Sequence, residues 1–122
     1  MSKRIAIAGA ALIALLGAPL PASAQETGLA AIHQWVSVGR KTCMESHTHD
    51  GNGTGKTKKD AERAAIQSWE SFTIWEYGQP WGRYAASESK TVTCDMAADK
   101  SFSCHVNSRP CVVKVGRRAK RR

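Results

Sequence analysis

The chain has 122 residues, 42% of them hydrophobic, and carries a net charge of +8. That length allows one domain, at the small end of what folds on a single core. The charge is uneven, which excludes a basic folded face: six of the last nine residues, KVGRRAKRR, are Lys or Arg, and the body between residues 25 and 113 has ten charges of each sign.

The first residues, MSKRIAIAGAALIALLGAPLPASA, read as a secretory signal peptide. Lys3 and Arg4 form the positive start. The apolar run Ile5 to Leu16 is shorter than the roughly 20 residues needed to span a bilayer. Ala22-Ser23-Ala24 offers small residues for cleavage near Ala24. The expected organisation is a signal peptide over 1–24, one domain over 25–113 and a basic disordered tail over 114–122, in a periplasmic or secreted protein. No second apolar segment suits a membrane span. The four cysteines, Cys43, Cys94, Cys104 and Cys111, all lie in the exported part. An even count in a short exported chain points to two disulfides, and their spacing fits no zinc pattern.

Partial alternation and β-branched content predict a strand from about His33 to Met44. The clearest element is a helix over about 58–77. Thr57 is its N-cap, Asp60 the acidic half of a capping box, and Gly78 the C-terminal stop with Pro80 beyond it. Its core stripe runs Ala61, Ala65, Trp69, Phe72, Glu76, widened by Ile66, Thr73 and Tyr77. Pro80 to Ala85 suggests a short second helix. KTVTCDMA and SFSCHVNSRPCVV read as a hairpin. Centred near Asp99, it sets Cys94 opposite Cys104 and leaves Cys43 to pair with Cys111. The predicted fold is a disulfide-stabilised, two-layer α+β domain, with a long and a short helix packed on a small antiparallel sheet in the order β-α-α-β-β.

HTHDGNGTGKT, His47 to Thr57, reads as a glycine loop, and several chemistries can be tested on it. Gly55-Lys56-Thr57 ends like a phosphate loop, yet Asp50 occupies the place of its first glycine. Asp50, Asn52, Thr54 and Gly55 echo a calcium loop, yet Ala61 stands where the bidentate Glu belongs, and Lys56, Lys58 and Lys59 repel a dication. His47 and His49 point to one side of an extended chain and, with Asp50 nearby, form a weak transition-metal candidate, with Glu45 or His105 as the residue to complete it. The bland alternative is a polar, solvent-facing loop.

Lys58, Lys59, Ala61, Ala64 and Ala65, following the glycine turn, resemble the helix motif of double-stranded-RNA-binding domains. The resemblance implies phosphate contacts by the lysines. Glu62 replaces a lysine of that motif, and too few residues precede it for the family's helix and three strands, which argues against nucleic acid. A longer stretch carries Trp69, Tyr77-Gly78, Trp81, Ala85, Cys94, Cys104 and Pro110-Cys111. In these it resembles a group of small exported cysteine-containing proteins of bacteria, mainly alphaproteobacteria. That group implies no activity.

No nucleophile–base or paired-carboxylate pattern stands out, so a non-catalytic protein without a cofactor is expected. Of the four tryptophans, Trp75 lies off the helical stripe and is the best candidate for an exposed aromatic ring. The leading expectation is a binding or envelope-associated module. Its tail, Lys114, Arg117, Arg118, Lys120, Arg121 and Arg122, with Lys58 and Lys59, would meet lipid headgroups, lipopolysaccharide or acidic polysaccharide. The alternatives are nucleic-acid binding through Lys56, Lys58, Lys59 and the tail, and metal binding at His47 and His49.

Overall fold

The computed structural model describes residues 28–114. The expected signal peptide and all of the basic tail except Lys114 lie outside these residues. The chain runs α1 (Gly28–Ala31), β1 (Trp35–Val38), β2 (Lys41–Met44), β3 (His49–Gly55), α2 (Lys58–Tyr77), two 3-10 turns (Gln79–Trp81 and Tyr84–Ala86), β4 (Glu88–Met96), β5 (Phe102–Arg109) and β6 (Cys111–Val113). The α+β class and the long helix are as the sequence predicts. The sheet differs: there are two antiparallel sheets of three strands, in orders β1-β2-β6 and β3-β5-β4.

Three local features produce the second sheet. The strand expected over 33–44 folds back on itself at Gly39-Arg40, where Gly39 adopts φ 58° and starts a two-residue hairpin. The last expected strand breaks at Pro110, which has no N–H for the ladder; β5 stays in one sheet and β6 joins the other. The Pro110 carbonyl accepts from the Met44 N–H at 3.0 Å. The expected short helix closes only as the two 3-10 turns.

The third feature corrects the reading of His47–Thr57 as a loop. His49–Gly55 is a strand, paired with β5 over its whole length from His49↔Ser108 to Gly55↔Phe102. Strand alternation turns Gly51, Gly53 and Gly55 to one face, and α2 lies directly on them. A Cβ on Gly51 would stand 2.6 Å from the Trp69 nitrogen, and one on Gly55 2.6 Å from the Ala61 nitrogen. No side chain fits there, because what it meets is helix backbone. Ala61 and Ala65, both fully buried, complete the small-on-small contact.

Thr57 caps α2 as predicted: its Oγ1 accepts from the Asp60 N–H at 3.1 Å and donates to Asp60 Oδ2 at 2.7 Å. The buried stripe is Ala61, Ala65, Trp69, Thr73 and Tyr77. Phe72, expected in it, is 44% exposed, and Trp75 is 74% exposed. Steps of four residues rotate the buried face by about 160° between Ala61 and Tyr77. The helix therefore leaves one core and enters another. Ala61, Ala65 and Trp69 pack with Tyr84, Cys104 and Val106 against the glycine-bearing sheet. Tyr77 packs with Ala30, Met44 and Trp81 beside the other.

Each sheet holds one disulfide. Cys43–Cys111 joins directly opposed residues of β2 and β6, and Cys94–Cys104 joins directly opposed residues of β4 and β5. This is the pairing that a hairpin centred near Asp99 requires. No thiol remains free among the described residues.

Candidate functional site

The chemistry-bearing side chains collect where α2 passes from one sheet to the other. His33 lies in the turn between α1 and β1, His47 in the link from β2 to β3, His49 at the start of β3, and Glu76 in the last turn of α2. The Glu45 N–H donates to the Gln34 carbonyl at 2.9 Å, which draws the first link against the second. The His33 and His47 rings come to lie 4.6 Å apart, centroid to centroid. Tyr77 forms the wall behind them: its ring is edge-on to both and stacks on His49 at 4.7 Å.

His49 is buried and held on both sides. Its Nδ1 is 2.9 Å from Thr73 Oγ1, and that hydroxyl donates to the Trp69 carbonyl at 2.7 Å. The hydroxyl proton being committed, Nδ1–H must be the donor toward Thr73. Nε2 lies 2.8 Å from Glu76 Oε2. Burial pushes the His49 pKa below the ordinary imidazole value, opposed by the Glu76 charge that pulls it up. Both nitrogens of His49 are thus occupied within the fold.

His33, His47 and Glu76 each offer a ligand atom, and these atoms lie within 4.8 Å of one another. All three side chains are partly exposed. Four donors placed tetrahedrally around a zinc-like ion at about 2.1 Å stand roughly 3.4 Å apart, so modest side-chain rotations close the set. Two imidazoles and a carboxylate are donors suited to zinc, copper or nickel.

The residues expected to form a metal site are thus partly separated. His47 and His49 do share a face, with ring centroids 5.2 Å apart. Asp50, the next residue of β3, turns to the opposite face, where it lies 2.8 Å from His105 Nε2 and accepts from Asn107 Nδ2 at 2.8 Å. His33 and Glu76 were not singled out as ligands by sequence reasoning. Glu76 left a signal there, since a carboxylate on an apolar stripe needs a polar partner. His33 left none, because only the tertiary fold brings it to His47.

Lys58 and Lys59 open α2 on its exposed side, with Lys56 just before them. Lys114 ends the described chain beside β1, its Nζ donating to Ser37 Oγ at 2.9 Å. No helix among the described residues is long and apolar enough to cross a membrane. Cys104 and His105 point to opposite faces of β5, one buried and one exposed, and the cysteine is oxidised. Comparison with protein families, with curated proteins and with solved structures finds no match to the chain, and a functional reading of it rests on the geometry of this cluster.

Proposed function

We propose that the protein is an exported binder of a divalent transition metal, held by His33, His47 and Glu76. The observation that carries this reading is the convergence of three ligand atoms, within 4.8 Å of one another, from three separate segments of the chain. Each element supplies one donor, so the folded chain presents the set preassembled. The buried His49 supports it from behind by holding one Glu76 oxygen, as an outer partner orients a ligating carboxylate. Two disulfides suit an oxidising compartment.

Calorimetric titration of the full exported chain with zinc and cobalt tests this. One metal per chain is expected, and His33→Ala, His47→Ala and Glu76→Gln should each lose most of the affinity while the fold stays intact. Binding that is unchanged in all three variants overturns the site.

A second reading has its own observation. The net charge of the exported chain resides in residues 114–122, beyond a body with equal numbers of each sign. That tail would attach the module to an anionic envelope surface. Deleting residues 114–122 should abolish salt-sensitive binding to anionic vesicles and leave metal binding unchanged. Vesicle binding that survives the deletion excludes the tail as the anchor.

A further inference from the structure

Resting on the metal reading, we infer that the bound ion keeps an open coordination position and there takes a small organic carboxylate. The donor set carries the first half of this. The cluster stops at three ligand atoms among the described residues. The nearest fourth imidazole, His49, has both nitrogens engaged, with Thr73 and with Glu76. Asp50 is already engaged, with His105 and with Asn107. Every cysteine is in a disulfide. Three protein ligands with the remaining position open is the arrangement of zinc sites that bind an exchangeable water or substrate, whereas structural sites close with four.

The surroundings carry the second half. A cleft of about 420 Å³ opens beside His47 and Glu76, and Phe72 forms part of its wall. Phe72 is 44% exposed, edge-on to His49 at 4.9 Å, and stacked on the outer ring of Trp75 at 6.0 Å. It is a presented aromatic surface a short distance from where the ion sits. Thr48 and Ser68 also line the cleft. Thr48 Oγ1 accepts from Asn107 at 3.2 Å, which leaves its own O–H to donate. The carboxylates of Glu76 and Asp50, which both line the cleft, make it repel anions until a dication is present. With the ion bound, its two charges offset those two carboxylates, and the repulsion is lifted. The occupant is therefore a carboxylate with an apolar or aromatic body: the carboxylate coordinates the metal, a hydroxyl holds its second oxygen, and the body lies on Phe72. It binds only to the metal-loaded protein.

Cobalt(II) reports on its own coordination through its visible absorption, so the test is a titration of the cobalt-loaded full chain with azide, acetate and benzoate. The expected result is a shift of the cobalt bands by all three, with benzoate tighter than acetate by roughly two- to ten-fold. Phe72→Ala should remove that preference and leave azide affinity unchanged. No benzoate should bind the metal-free chain. If cobalt binds through His33, His47 and Glu76 but its bands ignore all three anions, the open position is overturned while the metal site stands. If azide binds but benzoate shows no preference over acetate, the carboxylate cleft is overturned. If cobalt does not bind, both the site and this inference fall.

Discussion

Along its first half α2 rests on a strand of alternating glycines, backbone against backbone, with Ala61 and Ala65 between them. Along its second half it rests on rings and polar groups: Tyr77, His49 and Thr73, with His33, His47 and Glu76 around them. One helix therefore meets two kinds of surface. Where both partners are small, the distance is set by backbone and nothing else fits. Where the side chains are large, the gap has room for titratable groups and a cleft. The close contact fixes the position of the helix. The wider end then holds donors from three segments at fixed separations. The two cores are stapled separately, by Cys94–Cys104 and by Cys43–Cys111.

The largest effect that separates the two ends should come from the disulfides. Cys43–Cys111 closes 68 residues and spans the whole of α2, so replacing both cysteines by Ala should cost about 4 kcal/mol by chain entropy. Cys94–Cys104 closes only 10 residues within one hairpin, and its removal should cost about 3 kcal/mol. Urea unfolding of the two double variants measures this, and a reversed order would mean that the glycine-bearing half is the weaker core.

Next comes the close contact. Gly53→Val would drive a side chain into backbone atoms of Ala65 and Ala61, the Ala61 carbonyl oxygen standing 2.5 Å from the new Cβ. A loss of about 3 kcal/mol is expected. Asn52→Ala, on the exposed face of the same strand, should change stability by about 0.5 kcal/mol or less. Equal losses in thermal melts of the two variants would show that β3 is not seated on the helix.

The histidines sharpen the other end. His49→Ala removes a buried ring between Thr73 and Glu76 and should cost about 2 kcal/mol even without metal. His47→Ala, half-buried, should cost about 0.5 kcal/mol or less while abolishing cobalt binding. His49 would then be a structural support and His47 a ligand.

The smallest effect lies at the join. Lys41 of β2 donates to Glu88 of β4 at 2.5 Å, which ties one sheet to the other. The Lys41 hydrogen bond and charge lower the Glu88 pKa in the folded chain. A carboxylate so depressed contributes stability above its unfolded value, and loses it as pH falls through the folded one. The pair is partly exposed and screened by solvent, so the effect is small. Carbon-detected NMR titration should show Glu88 returning toward the ordinary carboxylate range in Lys41→Ala; no change would exclude the join.

Local chemistry was legible wherever the neighbours are close in sequence. Thr57 and Asp60 announce the start of α2, Gly78 its end, and the hairpin turn sets Cys94 opposite Cys104. Trp75 stands off the helical stripe and is exposed, as its position implies. The glycines of β3 were misread because Gly-x-Gly-x-Gly has the composition of a loop. Only the presence of a helix backbone on one side turns that pattern into a strand face. Phe72 was misplaced for a related reason: a fixed stripe assumes one packing partner, and this helix has two.

By itself the sequence determined the α+β class and the bounds of the long helix, because each depends on spacing within a few turns; the pairing of the cysteines followed only from an assumed hairpin turn, which the structure bears out. The tertiary structure alone decided the split into two sheets and the meeting of His33, His47 and Glu76. Those donors are separated by 14 and 29 positions in the chain. They meet because β1 and β2 fold back at Gly39, β3 presses α2 into place through its glycines, and the helix turns its buried face as it passes from one core to the next.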